Sequence, residues 1–345
     1  SEVDRHYLIY SLDGYFLRCV AGYKRRWDMK YYISLLKAID QVILYNKFPG
    51  KDISRDDLRD KFPLAAKQSA DHRSKFNVAG VEFGGDHIPV FAGPNMVESR
   101  ELIMDIAKNV ADLGVSFLRG GAFKPLTFPY RNEKYCETRE DGIEWLQEAK
   151  DTFGIPVITE IMEEKYLPLV SSVADILQIG ARNMQNYPLI TAAAQTGKPL
   201  MIKRHFGASL RDWLGAAEYA LIEGNTKVIL CERGVSVPHT HRSTSRFLID
   251  LQVIPAAREV THLPIVTDPS HATFWRDWVD PMCLASVAAG ADGLMIEVHP
   301  NPTEAAVDPL QAVDYSSLRC ILEKSDAVAR VLKRRILSSV VESDL

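Results

Sequence analysis

The sequence predicts an α/β fold, a (β/α)8 TIM barrel, on three observations. Short apolar runs rich in β-branched and aromatic residues recur from residue 88 onward, and a segment of helical period follows each one. There are eight such pairs, and eight βα units over about 250 residues match the usual size of this barrel. The runs are continuously apolar rather than alternating, which is the pattern of parallel strands buried on both faces. A doubly wound open sheet is the rival arrangement. It is disfavoured because no Gly-rich dinucleotide loop follows the first strand.

Residues 1–75 read as an N-terminal extension of helical character. GYKRRWDMKYYISLLKAIDQVILY has the look of a helix rich in aromatics and base, and SRDDLRDKF opens with a helix-start signal. KQSADHRSK reads as a linker. FNVAGVEFGGDHIPV reads as a β-hairpin with a Gly-Gly-Asp turn at 84–86, placed at the barrel base and leading into strand one. This region either caps the base or pairs subunits. The strands then follow as PVFAG, SFLRG, PVITEI, ILQIG, PLMIK, VILCE, PIVTD and GLMIEV. SRELIMDIAKNVADLG and SLRDWLGAAEYALIEG exemplify the helices between them. The barrel domain is expected over 76–335, with 336–345 as a C-terminal tail.

Composition narrows the function classes. The 345 residues are 46% hydrophobic and 25% charged, with a formal net charge of −4, so nucleic acid and acidic membrane surfaces are not expected partners. Five cysteines (19, 136, 231, 283, 320) show no CxxC or paired spacing and read as reduced thiols of a cytoplasmic protein. No apolar stretch is long enough for a membrane span, and the first residues carry no signal-peptide pattern. A soluble cytoplasmic protein is the expectation.

In such a barrel the site lies on the loops after the strands. Those positions hold Asn95, Arg119 with Lys124, Glu160, Arg182, Lys203 with Arg204, Glu232 with Arg233, Asp268 with His271, and Glu297 with His299. Arg119, Lys124, Arg182, Lys203 and Arg233 make a five-cation cradle that calls for a compact polyanion with a phosphate and a carboxylate. Arg forks suit both groups, and Lys can also donate a proton. Opposite them His271, Glu232, Glu297 and Asp308 can hold a metal or activate water.

The motifs FAGPNMVES, LRGGAFKP, IGARNMQN, MIKR, ILCERG, DPSHAT and AGADGLMIEVHPNP together resemble the 3-deoxy-D-arabino-heptulosonate 7-phosphate (DAHP) synthases. The subgroup is the one shared with 3-deoxy-octulosonate 8-phosphate synthase. The resemblance covers roughly residues 80–325. It implies a barrel that condenses phosphoenolpyruvate with an aldehyde and releases phosphate. It implies that Arg119, Lys124, Arg182, Lys203 and Arg233, with Glu232, hold phosphoenolpyruvate, and that Lys124 protonates the aldehyde oxygen. It implies a homo-oligomer, dimer or tetramer. In metal-dependent members a Cys, a His, a Glu and an Asp bind a divalent ion; the last three fall here on His271, Glu297 and Asp308.

Two departures matter. The metal-ligand Cys is Asn95 here, and a neutral amide is a far weaker ligand than a thiolate. No metal cofactor is therefore expected, with a weakened Mn2+ or Mg2+ site as the alternative; Asn95, His271, Glu297 and Asp308 then orient aldehyde and water. Where DAHP synthases read Lys-Pro-Arg-Thr-Ser, with the last three gripping erythrose 4-phosphate, this chain has Leu126, Thr127 and Phe128 after Pro125. Leu126 cannot hydrogen-bond a phosphate, so a different second substrate is expected, as in specialised metabolism. Arg242 and Arg246, with His239 and His241, offer a relocated phosphate site, and His205 a further contact. An ordinary DAHP synthase of the shikimate pathway and a non-catalytic phosphoenolpyruvate-binding barrel are the competing readings. The N-terminal extension matches no regulatory module of such barrels, so feedback by aromatic amino acids is not predicted.

Overall fold

The computed structural model describes residues 60–124, 136–238, 241–243, 245 and 247–337. The chain divides into two units, Ser1–Ser54 and Arg55–Leu345, and every described residue belongs to the second. The helical reading of the first 59 residues lies outside the described residues, as do Leu126, Thr127, Phe128, His239 and Arg246.

Two short strands, β1 (Phe76–Val78) and β2 (Val81–Phe83), pair antiparallel. The barrel strands are β3 (Val90–Gly93), β4 (Phe117–Arg119), β5 (Val157–Glu160), β6 (Ile176–Ile179), β7 (Leu200–Lys203), β8 (Val228–Glu232), β11 (Ile265–Thr267) and β12 (Gly293–Glu297). They close into a parallel barrel in the order β3-β4-β5-β6-β7-β8-β11-β12, with β12 pairing back onto β3. All eight coincide with the runs picked out in the sequence. A two-residue ribbon, β9 (Val235–Ser236) with β10 (Phe247–Leu248), projects from the loop after β8.

The helices Arg100–Asp112 and Leu210–Ile222 begin where the sequence placed them. The Ser99 hydroxyl accepts from the Leu102 amide, and Ser209 forms a capping box with Asp212. Outward strand residues such as Leu118, Val157, Leu177, Leu200 and Leu230 join the helices in one core. Inward residues make a second core inside the barrel: Phe91, Phe117, Ile158, Ile176, Met201, Ile229, Cys231, Val266 and Met295.

The hairpin plugs the lower end of this inner core. The Phe83 ring packs against Phe91 and Phe117, with centroids 6.1 and 5.8 Å away, and Phe76 stacks on Phe83 at 5.2 Å. Its turn is not Gly-Gly-Asp, as the sequence suggested. Val78 pairs with Val81, so Ala79 and Gly80 turn the chain, both with positive φ (49° and 87°), which suits the twist of a tight hairpin. Gly84–Asp86 instead carries the chain from the hairpin toward β3. Residues 64–67 pack on the same unit: the Lys67 amide donates to the Val260 carbonyl, and the Thr261 hydroxyl donates to the Ala65 carbonyl. Among the described residues no helix is long and apolar enough to cross a membrane.

Candidate active site

Strand alternation explains which side chains reach the site. Side chains two residues apart share a face. One step above the inner apolar layer, Phe117 is thus followed by Arg119, Ile158 by Glu160, Ile176 by Gln178, Met201 by Lys203, Val266 by Asp268 and Met295 by Glu297. The barrel floor is apolar and the next layer is charged because parity places it so.

That layer floors a cavity of about 150 Å3 lined by all five predicted cations, Arg119, Lys124, Arg182, Lys203 and Arg233, together with Asn95, Glu160, Gln178, His271 and Asp308. Its remaining wall includes Phe206, Phe247, Phe274 and Val307. Lys124 reaches in from the loop after β4 because Gly121 lies under it. A Cβ at Gly121 would meet the Lys124 Cδ at 2.4 Å. Glu160 Oε2 accepts from Lys124 Nζ and from Gln178 Nε2, both at 3.3 Å. Gly180 is needed for this carboxylate, since a Cβ there would lie 1.9 Å from Glu160 Oε1.

Asn95 bridges two charged groups of the cavity. Its Oδ1 accepts from Arg119 Nη2 at 3.1 Å, and its Nδ2 donates to Asp308 Oδ2 at 2.7 Å. The amide orientation follows from its neighbours, because a guanidinium only donates and a carboxylate only accepts. Next to this bridge, ligand atoms of His271, Glu297 and Asp308 lie within 4.8 Å of one another. Asp268 Oδ1 accepts from His271 Nδ1 at 3.1 Å, and the carboxylate also pairs with Lys203. The His271 proton is thereby fixed on Nδ1, leaving the Nε2 lone pair facing Glu297 Oε2 at 3.8 Å. Glu297 in turn accepts from Gln311 Nε2 at 2.5 Å.

The electrostatics follow from burial. Desolvation, only partly opposed by Glu160, pulls the Lys124 ammonium below its ordinary range. Burial pushes Glu297 up to about 8 despite the nearby Arg119 charge. Burial also holds His271 well below the usual imidazole range, so it is a neutral base. For Asp268 burial opposes charging, but the facing His271 and Lys203 override it and hold the carboxyl well below its usual range. Among the described residues, one buried guanidinium nitrogen each on Arg119 and Arg233 has no hydrogen-bond partner. A bound polyanion supplies acceptors for both.

Whether a divalent metal fits can be judged from the donors. His271, Glu297 and Asp308 offer three, but the fourth position is Asn95, whose oxygen is engaged by Arg119 and whose N–H2 group faces Asp308. An N–H donor cannot ligate a cation. The four residues as arranged do not fit a tightly held metal.

Several sequence expectations land elsewhere. Glu232, grouped with the phosphoenolpyruvate ligands, does not line the cavity. It is fully buried on the outward parity of β8, accepting from Arg204 Nη1 at 3.0 Å and from the Gly234 and Asp250 amides. Arg204 and His299 also leave the rim, toward Asp250 and Glu98 respectively. His205 does not line the cavity: its Nδ1 accepts from the Gly207 amide and its ring lies against Phe206. Arg242 is exposed, with its guanidinium 3.4 Å from the Trp275 ring centroid, outside the cavity lining. Gln178, Phe206, Phe247 and Phe274 were missed. Parity from Ile176 would have found Gln178; the three loop phenylalanines carry no sequence signal that separates them from core.

The fold and cavity define a (β/α)8 enzyme with a cation-lined cavity at the strand ends. Residues 61–332 match the model of the DAHP synthetase I family. The chain is 37% identical over 295 residues to the phospho-2-dehydro-3-deoxyheptonate aldolase of Thermotoga maritima, covering 85% of this chain and 86% of the relative. It is 30% identical over 275 residues to the 2-dehydro-3-deoxyphosphooctonate aldolase of Methylococcus capsulatus, covering 75% and 95%. The crystal structure of the Thermotoga maritima DAHP synthase superposes with a TM-score of 0.74 at 38% identity, covering 79% of this chain and 78% of the other. The chain belongs to the DAHP synthetase I family. It is accordingly a transferase-type enzyme of phosphoenolpyruvate aldol condensation.

Proposed function

We propose that the protein condenses phosphoenolpyruvate with an aldehyde other than erythrose 4-phosphate, without a resident metal, giving a 3-deoxy-2-keto acid and phosphate. The convergence of Arg119, Lys124, Arg182, Lys203 and Arg233 in one cavity carries the reading. Lys124, Lys203 and Arg119 already face Glu160, Asp268 and Glu297, yet cations gathered in one cavity still favour a compact anion whose charged groups reach several of them at once. Phosphoenolpyruvate, with a phosphate and a carboxylate on three carbons, is of that kind.

The steps follow from the residues. C3 of phosphoenolpyruvate attacks the carbonyl carbon of the aldehyde while Lys124 gives its proton to the developing alkoxide. Water held between His271 Nε2 and Asp308 adds to C2, and His271 takes its proton. The hemiketal phosphate then collapses: the C2 hydroxyl becomes the keto group and gives up its proton to the departing phosphate, the bond between C2 and the phosphate oxygen breaks, and phosphate leaves into the cation cradle. Fixed charges aimed at the phosphate and the new alkoxide stabilise both transition states. The Arg119–Asn95–Asp308 bridge supports a route without metal, since it spans with hydrogen bonds the place a cation would hold. Leu126 and Phe128 support a second substrate lacking the erythrose 4-phosphate grip.

The identity to the Thermotoga maritima enzyme favours a second reading, an ordinary DAHP synthase with a rebuilt phosphate site. Phosphate release from phosphoenolpyruvate, measured with a chelator across a panel of aldehydes, separates them. Turnover with other aldehydes that is indifferent to chelator is the expected result. Strong turnover with erythrose 4-phosphate, lost on chelation and restored by Mn2+, establishes the second reading instead.

A further inference from the structure

Besides the cation cradle, the cavity has an aromatic part to its lining. Phe206, Phe247 and Phe274, with Val307, Gly180 and Ala181, complete the described lining, which includes no serine, threonine or sixth cation. The two amides of the lining, Asn95 and Gln178, already donate to Asp308 and Glu160, so a second phosphate meets no dedicated donor among the described lining residues. Its dianion would instead face phenyl rings, which offer nothing to replace its hydration.

The aromatic wall is held in place. The Arg233 guanidinium lies 4.3 Å from the Phe247 ring centroid, so one cradle cation also fixes the wall. The Phe206 and Phe247 rings pack with centroids 5.5 Å apart at 40°. The Phe206 carbonyl accepts from the Ser236 amide, tying that ring to the β9–β10 ribbon. Phe274 is the most informative of the three. It ends the short helix Pro269–Thr273, which carries His271, with φ at 52°. That left-handed conformation is unfavourable for a bulky side chain and persists only where the surroundings hold it. Glycine or asparagine serves this position at lower cost. The strain sets a phenyl ring at the cavity mouth, beside the residues that handle water.

We propose that Phe206, Phe247 and Phe274 form the binding surface of the second substrate, and that this substrate is an aldehyde bearing an uncharged aryl or branched alkyl group. The inference rests on the condensation reading above and adds the class of aldehyde to it. The chemistry balances without another reactant: phosphoenolpyruvate, aldehyde and water give a 2-keto-4-hydroxy acid and phosphate. The carbonyl carbon sits toward Lys124, and the apolar group lies against the three rings, which exclude water from the new bond.

The test uses the full chain, with phosphate release from phosphoenolpyruvate as the signal. Phenylacetaldehyde and 3-methylbutanal are compared with erythrose 4-phosphate and arabinose 5-phosphate. Wild-type protein is compared with Phe206→Ala, Phe274→Ala and the milder Phe274→Leu, and phosphoenolpyruvate binding to each is titrated separately. The expected result is a kcat/KM at least tenfold higher for the apolar aldehydes than for the sugar phosphates. That preference shrinks tenfold or more in the alanine variants and less in Phe274→Leu, with phosphoenolpyruvate affinity kept within threefold. Preference of the wild-type protein for either sugar phosphate overturns the inference but leaves the condensation standing. Equal losses for all four aldehydes in the variants also overturn it. Phosphoenolpyruvate binding with no phosphate release from any aldehyde overturns the condensation and this inference together.

Discussion

Replacing Asn95 by alanine removes both hydrogen bonds of the bridge at once. Each joins the amide to a charged group, at 3.1 Å to Arg119 and 2.7 Å to Asp308, and such bonds contribute ~1.5–3 kcal/mol apiece. Asn95 and Arg119 are buried, and Arg119 already has one nitrogen without a hydrogen bond, so the loss on that side is uncompensated. Asp308 is partly exposed, and water replaces the lost donor there. The net cost in stability is then ~2–4 kcal/mol, read as a fall in the urea midpoint at unchanged slope. Arg119 and Asp308 both move from their working positions. A loss of ~1.5–3 kcal/mol of transition-state binding corresponds to a ~10- to ~150-fold fall in kcat/KM. Asn95→Asp sharpens the test, because it keeps the shape and the Arg119 contact but turns an acceptor toward Asp308. Three carboxylates and His271 then form a set that takes Mn2+, and activity restored by Mn2+ and abolished by chelator is expected. An Asn95→Ala protein within threefold of wild-type kcat/KM, with an unmoved midpoint, refutes the role given to the bridge.

Other outcomes follow from the same geometry. Lys124→Met should lower turnover by ~10²–10⁴, the usual contribution of a general acid, with the far-ultraviolet dichroism unchanged; appreciable activity removes Lys124 from that role. Because the acid must carry its proton and burial lowers the Lys124 pKa from 10.5, the alkaline limb of kcat/KM should fall below that of a free lysine. Bound phosphoenolpyruvate adds negative charge and raises the pKa again, so the limb of kcat should lie at higher pH than that of kcat/KM; coincident limbs count against the assignment. Glu232→Gln should destabilise by ~1–3 kcal/mol, below the full cost of breaking a buried pair because Asp250 still holds Arg204, while the KM for phosphoenolpyruvate stays within twofold. A large rise in that KM returns Glu232 to the binding set.

The eight strands were legible because strands buried on both faces are written as unbroken apolar runs. The five cations were legible because they sit where those runs stop. Parity was the signal left unused. Glu232 follows Cys231 and Arg204 follows Lys203, so each is turned out of the barrel by one residue, and Gln178 is turned in. The hairpin turn was misread because Gly-Gly-Asp is the stronger turn signal, while Ala79 adopts φ 49° with nothing in its chemistry to announce it. The aromatic wall was not legible at all. Phe206, Phe247 and Phe274 lie far apart in sequence and are brought together only by the loops after β7, β8 and β11. The bridge partner of Asn95 was equally hidden, being 213 residues away.

That separation has a kinetic side. Asn95 follows the first barrel strand and Asp308 the last, and the two strands meet only at the β12–β3 seam. The hydrogen bond between them is thus a clasp across the final ring closure, made from contacts with the longest loop to close. A chain emerging from the ribosome can lay down seven strands and all five cations without owning a site. The site is completed late, when the last strand docks beside the first, and a barrel left open at that seam keeps the Lys124–Glu160 and Lys203–Asp268 pairs but lacks Glu297 and the Asn95–Asp308 clasp.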